Sequence, residues 1–191
     1  MNKKFWIIIG VVAVVFLSTI GNFIGTFNSL QLMDETVNSS WAQVENQLQR
    51  RGDLIPNLVN TVKGYATHEK QVFVSIAEAR AKLSGAVAKR NVKDINQANS
   101  EFTGALSRLL AIAENYPQLK ADKSFMALQD ELAGTENRLA VARMDYNEAV
   151  KILDGTIRTF PTNVIAGIAG IKEREYFKVE ESKKEVPQVK F

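Results

Sequence analysis

The distribution of apolar positions changes character twice along the chain. From Phe5 to Ile24 it reads FWIIIGVVAVVFLSTIGNFI, twenty residues without a charge, thirteen of them Phe, Ile, Leu or Val. A helix rising about 1.5 Å per residue would carry this run across the roughly 30 Å of a bilayer's hydrocarbon core. On an insertion scale the thirteen side chains favour lipid by about 4 to 8 kcal/mol. After Ile24 the apolar residues thin into stripes at helical spacing. After Ile171 charge takes over, with eleven of the last twenty residues charged.

The stripes predict four helices. The first carries Leu30, Met33, Val37, Trp41, Val44 and Leu48, spaced three-four-four-three-four, and is predicted to end at Arg50-Arg51-Gly52. Asp53 then reads as an N-cap with Pro56 in the first turn. A second helix follows with Leu58, Val62, Tyr65, Val72, Ile76, Ala79, Leu83 and Val87 on one face. Gly64 and Thr67 are expected to interrupt it, Thr67 capping the continuation. Lys89 to Asp94 is a turn. The third helix holds Val92, Ile95, Phe102, Leu106, Leu109, Ile112 and Tyr116, and Pro117 stops it. Asp122 or Ser124 opens the fourth. Its seam runs Phe125, Leu128, Leu132, Thr135, Leu139, Ala142, Tyr146, Ala149, Leu153, Ile157, Phe160 and closes at Phe160-Pro161.

Four helices with short connections predict an all-α fold: one N-terminal transmembrane helix, then an antiparallel up-and-down four-helix bundle. The boundaries follow: residues 1–4 cytoplasmic, 5–24 transmembrane, 27–162 the bundle, 163–171 a short apolar segment, and 172–191 a charged, flexible tail. A parallel coiled-coil oligomer is the alternative, opposed by the turn signals at residues 52, 90 and 117.

The flanks set an orientation. Lys3 and Lys4 precede the apolar run, whereas no Lys or Arg follows it until Arg50. The positive-inside bias therefore puts the N-terminus in the cytoplasm and the bundle outside it. Phe5 and Trp6 beside those lysines are the expected interface anchors. A cleaved export signal is the competing reading, but the run is long and Thr19-Ile20-Gly21 is a poor cleavage site. The absence of cysteine excludes a lipoprotein signal.

Composition narrows the chemistry. Net charge is +3 from 24 basic and 21 acidic residues, interspersed, which describes a solvated helical surface and no nucleic-acid footprint. His68 is the only histidine; His68-Glu69-Lys70-Gln71-Val72 starts like a zinc-protease helix but has Val72 where the second ligand belongs. One histidine cannot build a di-iron bundle either. Without cysteine, and with serines lacking a histidine partner, nucleophilic triads are closed. The expectation is no enzyme, no cofactor and no metal. Glu136-Asn137-Arg138 with Arg143 and Asp145 forms a candidate, partly buried polar cluster, read as register-fixing packing ahead of a ligand site.

Two further surfaces are candidates. Val164 to Ile171 (VIAGIAGI) is too short to span a bilayer; Val164, Ile165, Ile168 and Ile171 are candidates for membrane or partner contact. Folding back onto the bundle end is the competing reading. Val189-Lys190-Phe191 ends in the apolar-x-apolar form that PDZ grooves capture by strand addition, so a PDZ-type envelope protein is a candidate partner.

Long ordered blocks of the sequence resemble the LemA family. The run NSLQLMDETVNSSWAQVENQLQRRGDLIPNLVNTVKGYATHEK lies within Asn28–Leu83, and LLAIAENYPQLKADKSFMALQDELAGTENRLAVARMDYNEAVKILDGTIRTFPTNVIAG lies within Leu106–Gly167. The ending VPQVKF is similar as well. The resemblance implies an N-terminally anchored protein of the bacterial cytoplasmic membrane with an extracytoplasmic helical bundle and no established catalytic activity. One branch of the family is associated with shaping an internal membrane compartment. The expected function is therefore a scaffold or adaptor that self-associates or works with other membrane proteins. A sensor or small-ligand-binding bundle, signalling through a partner, is the alternative.

Overall fold

The computed structural model describes residues 3–178. It is all-helical, with 86% of the described residues in helix and no strand among them. The elements are α1 (Lys3–Lys63), α2 (Lys70–Ala88), α3 (Val92–Ile112), a 3₁₀ turn (Ala113–Asn115), α4 (Pro117–Lys120), α5 (Lys123–Ile157) and α6 (Thr162–Ala169). The chain divides into two units, Met1–Ser40 with Glu148–Arg174 and Trp41–Asn147 with Glu175–Phe191.

The largest departure from expectation lies at residues 50–56. α1 does not stop at Gly52 but runs through it to Lys63, with Pro56 inside the helix. The reason is visible in the burial pattern. Val44, Leu48, Arg51, Ile55, Leu58 and Val62 are all buried, so the three-four seam passes the supposed junction without a phase change. Proline inside a helix removes the N–H that would bond the carbonyl four residues back. For Pro56 that carbonyl belongs to Gly52, and the Arg80 side chain of α2 donates Nε–H to it at 2.8 Å. Arg80 Nη2 also lies 3.6 Å from Asp53. A neighbouring helix thus satisfies the acceptor that proline orphans.

The remaining junctions are close to expectation. The break falls at residues 64–69, and α2 starts after Glu69 without a side-chain cap, so Thr67 is not the capping residue. Asn91 caps α3 by accepting the Asp94 N–H at 2.9 Å, and Arg90 takes the left-handed conformation that ends the preceding turn. Asp122 opens α5, its Oδ1 accepting the Phe125 N–H at 2.9 Å. On α2 the buried positions include Phe73 and Ala86, while Val72 and Val87, expected on the seam, are half-buried at its margin.

In the Trp41–Asn147 unit, α2 and α3 pack against each other. Its part of the expected α5 seam is buried from Leu132 to Tyr146, with Leu128 half-buried. Phe160 departs from it completely, 83% exposed after the helix has ended. In the other unit Leu30, Val37, Val150, Leu153, Ile157, Ile165 and Ala166 are buried.

Residues 172–178, expected as the start of a solvated tail, are held. Phe177 is buried. Its N–H donates to Asn147 Oδ1 at 2.9 Å, and its carbonyl accepts from Asn147 Nδ2 at 2.8 Å. One asparagine amide thereby satisfies both backbone groups, as a neighbouring strand would.

Candidate membrane anchor and docking surfaces

From Lys4 onward the first six turns of α1 present apolar side chains on every face. Phe5, Trp6, the Ile7–Ile9 run, Val11, Val12, Val14, Val15, Phe16 and Leu17 are all exposed, and nothing in the anchor's most apolar window is covered by protein. Such a surface is stable only if a nonpolar solvent covers it. By length and composition this helix is able to cross a membrane. Of the expected interface residues, Lys4 is exposed, and Phe5 and Trp6 meet edge to face at 6.5 Å. The polar groups near the far end are satisfied locally: Thr19 Oγ1 donates to the Val15 carbonyl at 2.8 Å and Asn22 Nδ2 to that of Ser18 at 3.0 Å. Local bonding of this kind lowers the cost of carrying them into lipid.

The VIAGIAGI segment forms α6, and its four candidate contact residues separate. Val164 and Ile168 are exposed at 54% and 66%, Ile165 is buried and Ile171 is half-buried. One face of this short helix therefore folds back onto the protein, and the face with Val164 and Ile168 is left exposed. Val189, Lys190 and Phe191 lie outside the described residues.

Two interior clusters complete the picture, and the sequence reading missed the central residue of each. Arg51, expected at a helix terminus, is 3% exposed in the middle of α1. Its Nη1 lies 2.9 Å from Asn99 Oδ1 and 2.8 Å from Glu136 Oε2, and its guanidinium sits 5.2 Å from the Phe102 ring centroid. Burial pushes its pKa down and the Glu136 carboxylate pulls it back up. Glu136 thus belongs to the polar packing that was expected, but its partner is Arg51. Arg138 bonds Glu131 at 2.8 Å instead, alongside Arg50, and Arg143 lies 5.3 Å over the Phe177 ring. The signal for Arg51 was present, since it occupies a seam position between Leu48 and Ile55.

The second cluster is aromatic. Trp41 meets Tyr146 edge to face at 5.4 Å and stacks on Phe177 at 5.7 Å; Tyr146 and Phe177 are 5.2 Å apart. Tyr146 donates its hydroxyl to the Glu175 carbonyl at 3.1 Å, and Trp41 Nε1 donates to Glu45 at 2.6 Å. The only sequence hint was a Tyr-Phe pair inside an otherwise charged stretch.

His68 is exposed in the 64–69 break. Among the described residues no group of three His, Cys, Asp or Glu side chains comes together to hold a metal. A cleft of about 510 Å³ between α1 and α2 is lined by residues including Gly52, Asp53 and Arg80, and its arginine is already bonded to the Gly52 carbonyl and Asp53.

An all-helical protein with a greasy N-terminal helix and a polar-stapled interior is a membrane-associated helical protein. The LemA family model matches residues 40–191, and the chain belongs to the LemA family. Magnetosome protein MamQ 2 of Paramagnetospirillum magneticum is 27% identical over 193 residues, covering 89% of this chain and 70% of the relative. Protein LemA of Metamycoplasma hominis is 26% identical over 156 residues, covering 79% and 70%. Magnetosome protein MamQ of Magnetospirillum gryphiswaldense is 25% identical over 174 residues, covering 79% and 64%.

Proposed function

We propose that this LemA-family chain is a non-enzymatic, single-pass membrane scaffold. It crosses the bacterial cytoplasmic membrane once, at Phe5–Ile24, with its N-terminus inside. The second half of α1 together with α2, α3 and the first part of α5 forms an antiparallel up-and-down four-helix bundle on the outer side. The observation that carries this reading is α1 itself. One helix begins with an apolar surface that no protein covers and continues as a buried seam. Its partners are the bilayer and either further copies or other membrane proteins, and it uses no cofactor. The similarity to magnetosome proteins favours a membrane-organising role.

Crosslinking in native membranes with identification of neighbours tests the scaffold. Recurrent adducts to a second copy or to the same membrane protein are expected; adducts to lipid alone would overturn it. Because the chain has no cysteine, Lys93→Cys reports orientation. Labelling by an impermeant maleimide on intact cells is expected, and labelling only after lysis would reverse the topology. A peptide of the last ten residues tests capture of Val189-Lys190-Phe191 by envelope PDZ domains, where absence of binding ends that partner. The ligand-binding alternative gains nothing from the α1–α2 cleft, whose arginine is committed.

A further inference from the structure

We propose that Phe160, Val164 and Ile168 form a second, interfacial membrane contact, lying in the headgroup boundary of the same bilayer that Phe5–Ile24 crosses. The proposal rests on the anchored reading above. It adds a surface that neither the transmembrane segment nor the family match assigns.

Position within the unit is the first argument. Arg174 Nη2 reaches Asp34 on α1 at 2.7 Å, while its backbone N–H donates to Asp154 at 3.2 Å, so Arg174 bridges α5 to the Asp34 stretch of α1. Two residues further, Thr156 lines one cleft with Ser29, Leu30, Thr26, Gly25 and residues of α1 closer still to the N-terminus. α5 therefore descends α1 towards the point where the apolar run ends. Ile24 is six residues from Leu30, a drop of about 9 Å along the helix axis. The chain turns out of α5 at Ile157, and Phe160 and α6 follow at that level.

Exposure is the second. Phe160, Val164 and Ile168 are 83%, 54% and 66% exposed, while Ile165 and Ala166 between them are buried. Val164 and Ile168 are four apart on one helical face, and Phe160 lies in the turn just before α6. An apolar edge of this kind in water has no compensation from the protein.

The edge is also rigidly framed. Gly170, at φ 72°, closes α6 with a Schellman motif in which Ile171 N–H bonds the Ala166 carbonyl at 3.0 Å and Gly170 N–H bonds that of Gly167 at 3.3 Å. Arg158 grips Glu173 through two bonds of 2.8 and 2.7 Å, joining the residues on either side of α6. A loop stapled at its base presents its apolar side chains in fixed positions.

Size selects lipid over a protein partner. Stable protein interfaces bury about 1,200–2,000 Å², beyond what three side chains supply. A tethered contact needs far less, because the anchor already holds it at high effective concentration. Interfacial segments of this kind sink about 5–10 Å into the boundary region, and Lys172, exposed just beyond the helix, suits anionic headgroups.

The test uses the full chain in phosphatidylcholine–phosphatidylglycerol vesicles, with single cysteines carrying an environment-sensitive fluorophore and lipids carrying a quencher. Ile168→Cys is compared with Val14→Cys in the anchor and Lys151→Cys on the exposed side of α5. The proposal expects quenching at positions 14 and 168, a blue-shifted emission at 168, and neither at 151. In an Ile168→Asp background that retains its helicity by circular dichroism, a label at Val164→Cys should lose its quenching. Quenching at 14 without quenching at 168 overturns the interfacial contact and leaves the anchor standing. No quenching at 14 removes the anchor reading itself. A shift at 168 that grows with protein-to-lipid ratio assigns the edge to a second copy and likewise overturns the proposal.

Discussion

The two stretches of α1 obey opposite solvent rules within one helix. Residues 5–24 are apolar on every face and exposed; residues 30–62 are buried along a single three-four seam and mostly polar elsewhere, Leu32 being an exposed exception. In the first stretch the described residues supply no cover for the side chains, which suits a membrane location. In the second, the protein supplies almost everything, including a guanidinium's ligands and the hydrogen bond that Pro56 takes from Gly52. A charge is prohibitive in one setting and, if paired, tolerated in the other.

The largest effect is expected where the buried charge loses its partner. Glu136→Ala leaves the Arg51 guanidinium buried without its carboxylate and should cost about 3–5 kcal/mol in chemical denaturation. Arg51→Met, which removes the charge and keeps the bulk, should cost clearly less, since the Glu136 side chain is 46% exposed overall and can turn its carboxylate to water. Equal losses would show that Arg51 is not held as a paired buried ion. The counterpart in the first stretch is Val14→Arg. Val14 is 67% exposed, so the substitution is harmless to a helix in water but costs roughly 2.5–3.5 kcal/mol in lipid. A reduced membrane fraction, with Val14→Leu unaffected, is the expected readout.

A smaller effect sharpens how the second stretch tolerates its proline. Arg80→Ala should cost about 1–3 kcal/mol by leaving the Gly52 carbonyl without a donor. Pro56→Ala in the same background should restore part of it, because the backbone N–H returns. Additive losses would dissociate Arg80 from the proline. Smallest is a pH effect. Burial raises the Asp154 pKa, opposed by the Arg174 N–H, so the folded state holds that proton more tightly than the unfolded one. Stability from this group is present below the ordinary aspartate value of about 3.9 and declines as pH rises through the raised one. Asp154→Asn keeps an acceptor for Arg174 and should flatten that decline, read as melting temperature against pH. Asp122 has the opposite sign. The Phe125 N–H and Tyr65 hydroxyl lower its pKa, so its contribution is lost as pH falls.

Much of this architecture was legible in the sequence because its signals are local. Leu30 through Leu48, Val92 through Ile112 and Phe125 through Ile157 declare helices by period alone, and Asp122 declares a start by its chemistry. Gly52 misled because glycine after two arginines has the composition of a helix end. The unbroken spacing from Leu48 through Arg51 to Ile55 was the stronger signal. The candidate surface was half legible: VIAGIAGI announced an apolar segment, but not which of its residues face outward.

By itself, then, the sequence determined the anchor-length apolar run, the helical class and the core seams, since periodicity and composition act over neighbouring residues. Tertiary structure alone decided that Arg51 is interior, that Arg80 completes α1 around Pro56, and that Phe177 docks. Each depends on a partner far along the chain: Asn99 lies 48 residues from Arg51, Gly52 lies 28 from Arg80, and Asn147 lies 30 from Phe177. A side chain's type does not specify a distant partner, and only the folded chain brings the two within hydrogen-bond range.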